Sequence, residues 1–227
     1  MKQNNTGFTL IEIIMASLIF SLFLGASFAI YSHSQRTISR ANWINKSTSE
    51  DAISKRILSE LSKSSSYPST VRSNLIKTAE GSDVFKAKLP SGTGEFAAQK
   101  KDIIILAFPI CKEQTENMPG KIKWVRLRLS SKNSNNDLLA LITDESSEVS
   151  YSPGPPNYAE KLNSPGLSQA TFTKSTLIMS DIQKAELSIL PGIENSLDLA
   201  FNLVCPNDIN LKKEIKLTLT LNVEIKK

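Results

Sequence analysis

The distribution of apolar residues divides the chain into a long helical part and a strand-rich part. An apolar run occupies residues 8–31 and is broken by a single acidic residue, Glu12. At about 1.5 Å rise per residue, a helix of this length can cross a hydrocarbon core of about 30 Å. The run therefore predicts a membrane-length helix, which follows a short polar leader of residues 1–7.

Helical spacing continues beyond the apolar run, although residues 32–66 are more polar. Apolar residues recur three or four positions apart, which is typical of an amphipathic helix. They are Ile38, Ala41, Ile44, Ile53, Ile57 and Leu61. We predict that residues 32–66 form the amphipathic half of the same helix, with this stripe packed on a sheet. Any interruption is expected near residues 42–49.

Residues 67–227 carry the short patterns of β-strands and are predicted to form a globular domain. Apolar and polar residues alternate strictly over residues 215–225, which indicates an antiparallel strand with one exposed face. Further strands are predicted over residues 102–110, 121–129, 137–143, 176–182, 185–190 and 197–204. Residues 121–129 and 137–143 should pair as a hairpin, and the Pro-rich residues 151–166 should form a loop. One long helix followed by many strands predicts an α+β fold, with the helix packed on an antiparallel sheet.

Composition and motifs add little catalytic chemistry to this prediction. The formal net charge is +5 and the pI is about 9.1, but the basic residues are scattered, as on a solvated surface. The single histidine, His33, has no partner pattern, and residues 133–137 lack the spacing of a calcium loop. The sequence contains none of the common hydrolase, metalloprotease or nucleotide-binding motifs. We therefore expect no enzymatic activity, no metal and no cofactor.

The two cysteines, Cys111 and Cys205, each follow a predicted strand. They form no CxxC pair and have no histidine nearby, so a metal site is not expected. A disulfide between them can form if the two strands are neighbours and the domain lies outside the cytoplasm. Two buried free thiols are the alternative.

Three kinds of segment compete for residues 8–31. A cleaved secretory signal has a shorter apolar core and a small-x-small cleavage site. A plain transmembrane anchor explains the length, but neither the Gly7–Phe8 junction nor the acid at Glu12. The sequence GFTLIE at residues 7–12, after a polar leader and before the apolar run, resembles the class III signal of type IV pilins and type II secretion pseudopilins.

This resemblance implies a defined route of processing and assembly. A membrane-embedded prepilin peptidase would cut between Gly7 and Phe8 and methylate the new amino group of Phe8. Glu12 would then pair with the N-terminus of a neighbouring subunit and recruit the chain to a fibre. A second role stays open, because Thr9 and Glu12 also have the spacing of a capping box, which stabilises a helix start locally.

Weaker patterns further along the chain resemble J-type pseudopilins and W-type minor pilins. They lie in residues 53–66, 122–129, 138–142 and 176–190. This resemblance implies a pilin-like minor subunit of a tip or initiation complex, with other major and minor pilins or pseudopilins as partners. It also implies a single-pass inner-membrane protein whose globular domain lies in the periplasm or exterior before assembly into a pilus or pseudopilus.

The alternative function is a tip adhesin or a component of a DNA-uptake pilus. The basic pI of about 9.1 allows nucleic-acid binding. No stripe of alternating aromatic and basic residues supports it.

Overall fold

The computed structural model describes residues 9–66, 87–88, 94–97, 102–112, 120–131, 138–151, 170–190, 192–193, 195–223 and 225–226. Within these residues, one helix, α1 (Leu10–Lys63), is followed by ten strands. The strands are β1 (Ala87–Lys88), β2 (Gly94–Ala97), β3 (Ile103–Lys112), β4 (Gly120–Ser131), β5 (Leu139–Ser146), β6 (Val149–Tyr151), β7 (Phe172–Ile189), β8 (Ser196–Cys205), β9 (Asp208–Thr220) and β10 (Ile225–Lys226). The chain divides into two compact units, Met1–Asn45 and Lys46–Lys227.

Helix α1 runs from Leu10 to Lys63 without the interruption expected near residues 42–49. It ends where the sequence places a run of serines, and both the backbone N and the hydroxyl of Ser64 donate to the carbonyl of Glu60. The basic Lys63 lies in the last turn, where a positive charge suits the negative end of the helix. The prediction of one long helix is therefore confirmed.

In the second unit, α1 packs on the sheet through small side chains. Ser54, Leu58 and Ser62 are buried, and Ser65 just beyond the helix is buried as well. The hydroxyls of these serines donate to carbonyls one turn earlier in the chain, so their burial leaves no hydroxyl unsatisfied.

The apolar stripe predicted to face the sheet lies at the margin of the buried face in this part of α1, because Ile57 and Leu61 are half-buried. Ile53 remains 50% exposed, whereas Leu58 is buried. The periodicity correctly indicated a helix, but it centred the contact face on the stripe rather than on Leu58 and the serines. A hydrophobicity pattern cannot identify a contact face made of serines whose hydroxyls bond within the helix.

The ten strands form one sheet in the order β10-β1-β3-β4-β5-β7-β8-β9, with β2 beside β7 and β6 beside β4. Every pairing is antiparallel except that of the two-residue strands β1 and β10. The predicted hairpin of residues 121–129 and 137–143 is present as β4 and β5. A long helix with an essentially antiparallel sheet confirms the α+β fold class.

Strand β7 joins two segments that the sequence suggested as separate strands. It is continuous from Phe172 to Ile189, and Asp181 within it has φ 61°, in the left-handed region. Register shifts flank this residue on both sides of the strand. The first half of β7 pairs with β5, and the second half pairs with β8 and β2.

Strand β9 begins earlier than the alternation predicted and ends earlier too. It spans Asp208–Thr220, because a short turn after β8 lets the two strands pair from Cys205 and Asp208 onward. The alternation itself is confirmed: Ile215, Leu217 and Leu219 are buried, and the residues between them are exposed. Most of the predicted loop of residues 151–166 lies outside the described residues.

Candidate processing and assembly site

The start of α1 is closed by reciprocal hydrogen bonds between Thr9 and Glu12. The backbone N of Thr9 donates to Glu12 Oε2 at 2.8 Å, and the Thr9 hydroxyl donates to the same oxygen at 2.9 Å. In return, the backbone N of Glu12 lies 3.1 Å from the Thr9 carbonyl oxygen and 3.4 Å from Thr9 Oγ1. These contacts form a capping box, so the local role considered for Glu12 is present.

The capping box uses only one of the two carboxylate oxygens of Glu12. Both bonds from Thr9 end on Oε2, and Oε1 accepts no hydrogen bond within the described residues. The side chain is exposed. Within the described residues, Glu12 thus caps its own helix through one oxygen and leaves the other oxygen without a hydrogen bond.

The apolar part of α1 presents its side chains outward all around the helix. Residues 9–31 are all exposed. An 18-residue window of the helix has a mean hydropathy of 2.3, with none of the window buried, so α1 is long and apolar enough to cross a membrane. The hydroxyls of Ser17 and Ser21 donate to the carbonyls of Ile14 and Ser17, which satisfies them inside the helix, as a hydrocarbon environment requires.

Two of the predicted site residues are not part of the described structure. Gly7 and Phe8, the residues predicted to flank the cleaved bond, lie outside the described residues. Cleavage between them and methylation of Phe8 therefore stay predictions.

Comparison with known families bears directly on this segment. Residues 2–28 match the family model of the prokaryotic N-terminal methylation motif. The chain carries a prepilin-type motif. This motif is typical of type IV pilins and pseudopilins, and it implies prepilin processing and assembly with other pilin subunits. No curated protein and no solved structure matches the chain.

The prepilin-type motif covers Gly7, Phe8 and Glu12 together with most of the apolar run. The motif and the apolar helix both fit membrane anchoring. They support a subunit of the pilin or pseudopilin type.

The two cysteines lie on strands that are not neighbours. Cys111 belongs to β3 and Cys205 to β8, and β4, β5 and β7 lie between these strands in the sheet. Both are free cysteines. The predicted disulfide required these two strands to be neighbours, and they are not. Burial raises the pKa of the Cys111 thiol to about 12, which makes it a poor nucleophile at neutral pH.

The structure also brings together a charged cluster that the sequence pattern did not single out. Asp144 is fully buried, and it accepts hydrogen bonds from Arg126 Nε at 2.7 Å, Arg128 Nε at 3.0 Å and Ser175 Oγ at 2.6 Å. Burial by itself raises the pKa of Asp144, but the hydrogen bonds from Arg128, Ser175 and Arg126 outweigh it and hold the pKa below its ordinary value.

This cluster joins β4, β5 and β7, together with Asp102 just before β3. Arg128 also pairs with Asp102, next to β3, and the guanidinium of Arg126 lies 3.8 Å from the centre of the Phe172 ring. The carboxylate oxygens of Asp144 are occupied by side chains of the chain itself, so the cluster holds the sheet together. In the described part of the chain, no three His, Cys, Asp or Glu side chains are grouped as metal ligands.

Proposed function

We propose that the chain is a minor subunit of a type IV pilus or a type II secretion pseudopilus, with a structural rather than a catalytic role. The observation that carries this proposal is the prepilin-type motif of residues 2–28, most of which lies on the exposed apolar part of α1. The second compact unit contains the last part of α1 and the described ten-stranded sheet. That unit is large for a major subunit, which supports a minor subunit in a tip or initiation complex.

The precursor would be cut between Gly7 and Phe8 by a prepilin peptidase, and Phe8 would be N-methylated. A glycine before the cleaved bond suits this step, because a side chain there would crowd the peptidase. Removal of residues 1–7 takes Lys2, their only charged side chain, so the formal net charge falls from +5 to +4.

Residues 8–31 would lie in the inner membrane before assembly and in the helical core of the fibre afterwards. Residues 32–66 would continue this helix into the globular domain of residues 67–227, in the periplasm or exterior. The end of α1 supports such a firm connection. The backbone N of Asn222 donates to Ser65 Oγ at 2.7 Å, and the Asn222 amide donates to the carbonyl of Lys63 at 2.6 Å.

Glu12 would hold two partners at once. Its Oε2 caps the helix through Thr9. Its Oε1 would meet the new amino group at Phe8 of a neighbouring subunit. A carboxylate in a membrane helix costs on the order of 2.5–3.5 kcal/mol at the bilayer centre, and a cationic partner would offset this cost. Capping and docking are therefore compatible roles of the same carboxylate.

The two roles of Glu12 can be separated with three matched variants. Glu12→Gln keeps an oxygen that can accept the capping bonds but removes the charge, since glutamine also serves in capping boxes. Thr9→Val removes the capping hydroxyl and leaves the charge. Glu12→Val removes both functions of the side chain. Each variant is expressed in cells that assemble fibres, and its amount in the membrane and in sheared fibres is measured.

We expect all three variants to be present in the membrane. Thr9→Val should be present in the fibre at near the wild-type amount, whereas neither Glu12 variant should be present there. Incorporation of Glu12→Gln at the wild-type amount would show that the charge is not needed and would leave only the capping role. Absence of the wild-type chain from fibres would contradict the proposed function as a whole.

A further inference from the structure

Within the part of the chain that the structure describes, the first half of β7 forms an open edge of the sheet. Residues 172–179 pair with β5 on one side, whereas β8 pairs with β7 only from Ile182 onward. Among the described residues, no strand lies on the other side of residues 172–179. At about 3.3 Å per residue, this edge is about 26 Å long. About half of its backbone N–H and C=O groups face away from β5 and are available to another strand.

The open edge ends at Ser180 on its C-terminal side, where the side chain of Glu50 binds the strand. The backbone N of Ser180 donates to Glu50 Oε2 at 3.2 Å, and the Ser180 hydroxyl donates to Glu50 Oε1 at 3.0 Å. Asp181, the next residue, has left-handed geometry and bends the strand. The open edge is thus a defined segment of β7 with a fixed end.

A row of three aliphatic side chains and one arginine crosses the sheet and ends at this edge. Ile104, Arg128, Ile142 and Leu177 are direct cross-strand partners on β3, β4, β5 and β7, so they share one face of the sheet. Leu177 is 56% exposed and Ile104 is 39% exposed. Arg128, within the row, is paired with Asp144 and Asp102, so its charge is already balanced. The end of the row at the open edge, formed by Ile142 and Leu177, is therefore apolar, and a further strand could extend it.

The edge of β7 lacks the usual protection against strand pairing, and a second edge in the same sheet has it. Natural sheets protect exposed edges with charged residues, especially lysine. The outer strand β9 carries Lys212, Lys213, Glu214 and Lys216 within its span. Residues 172–179 include one charged residue, Lys174, and are otherwise rich in β-branched and apolar residues. This contrast singles out the β7 edge as the one suited to a partner.

We infer that residues 172–179 of β7 bind an extended segment of a neighbouring fibre subunit as an added, edge-paired strand. This inference rests on the proposed function, because the partner is another subunit of the same fibre. Main-chain hydrogen bonds would provide the pairing, and alternate side chains would provide the selectivity, as in other cases of strand addition. On the face of Leu177, the partner segment carries apolar side chains that extend the row described above.

On the opposite face of the edge, the partner segment carries an acidic residue. Lys174 and Lys123 share one carboxylate, with their Nζ atoms 2.8 Å and 2.6 Å from the two oxygens of Glu145. This group has an excess of one positive charge, and the Lys174 side chain is 66% exposed. An acid directly opposite Lys174 would be stabilised as an oppositely charged cross-strand pair. The partner is thus an alternating apolar and polar strand with an acid among its polar positions.

Hydrogen exchange measured by mass spectrometry tests this pairing on the mature chain. The chain is compared in sheared fibres and as a monomer in detergent. We expect the backbone amides of residues 172–179 to exchange at least about tenfold more slowly in the fibre, because about half of them gain a hydrogen-bond acceptor there. Amides of β9 should exchange equally in both samples. Equal exchange at residues 172–179, or protection of β9 alone, would overturn the inference.

Two matched variants test the same edge in cells. Leu177→Lys and Ile209→Lys each place a lysine at an exposed aliphatic position, 56% and 73% exposed, on β7 and β9 respectively. Leu177→Lys should reduce incorporation into fibres about tenfold, because an edge lysine opposes strand pairing. Ile209→Lys and the conservative Leu177→Val should incorporate normally. Equal melting temperatures of the purified variants establish that folding is intact.

The outcomes separate this inference from the proposed function. Normal incorporation of Leu177→Lys, with the wild-type chain present in fibres, would overturn the strand pairing and leave the proposed function intact. Absence of the wild-type chain from fibres would contradict both, since the partner named here is a fibre subunit.

Discussion

Lys46 and Asp181 form an ion pair, with Nζ 2.8 Å from Oδ2, at the point where β7 exchanges one neighbouring strand for another. Asp181 has φ 61°, and its side chain is only 7% exposed. Lys46 also lies 3.9 Å from Glu50, which itself binds Ser180. The part of α1 around Lys46 and Glu50 is thereby fixed to β7 at Ser180 and Asp181, where the open edge ends.

Substitutions of Asp181 should separate backbone strain from the ion pair. Asp181→Asn and Asp181→Gly both lose the charge but tolerate left-handed geometry, whereas Asp181→Ala does not. We expect Asp181→Ala to lower the free energy of unfolding by about 1 kcal/mol more than Asp181→Gly. Urea unfolding followed by the fluorescence of the buried Trp124 measures the difference. Equal stability of the Ala and Gly variants would show that the left-handed geometry carries no cost.

The stability of the globular unit should fall in acid because of two carboxylates. Hydrogen bonds from Lys123 and Lys174 hold the pKa of Glu145 below its ordinary value, and the arginine partners do the same for Asp144. A carboxylate whose pKa is lower in the folded state stabilises the fold above its unfolded pKa. That stabilisation is lost as the pH falls from about 4 through the folded pKa.

Unfolding free energies measured between neutral and strongly acidic pH test this expectation. The double variant Asp144→Asn, Glu145→Gln should show a smaller loss on acidification than the wild-type chain. An identical pH dependence of the two proteins would assign the acid sensitivity to other groups. At neutral pH, Asp144→Ala should cost about 3 kcal/mol, because it leaves two largely buried guanidinium groups without their shared partner.

The two cysteines should behave as protected free thiols. Cys205 is buried, and burial raises the pKa of the Cys111 thiol to about 12, so little Cys111 thiolate forms at neutral pH. Alkylation of the folded chain should be slow, and denaturation should expose two reactive thiols without any reductant. A melting temperature that falls when reductant is added would instead reveal a disulfide.

The sequence predicts elements well where one face of an element is apolar and covered by the chain itself. Ile215, Leu217 and Leu219 of β9 alternate with exposed residues, and the structure buries all three. The same reasoning located β4 and β5 and their pairing, because the alternation after Val125 is regular. The single helix followed from the membrane-length apolar run and the helical spacing of apolar residues after it.

The sequence fails where contacts depend on register or on polar side chains that bond locally. The serine face of α1 gives no hydrophobic signal, and the bend at Asp181 has no marker such as glycine or proline. The cysteine prediction required knowledge of strand order, which an alternation pattern does not contain. For the assembly site, the spacing of Thr9 and Glu12 predicted the capping box. It did not predict that both bonds from Thr9 end on the same carboxylate oxygen of Glu12.

The most direct test of the account is the mass of the N-terminal peptide of the chain recovered from sheared fibres. We predict a peptide that begins at Phe8 and carries one additional methyl group on its amine. A Gly7→Val variant serves as the matched control and should remain in the membrane as the uncut precursor. Recovery of fibres that contain the chain with Met1 and an intact leader, or efficient cleavage of the Gly7→Val variant, would contradict the central claim.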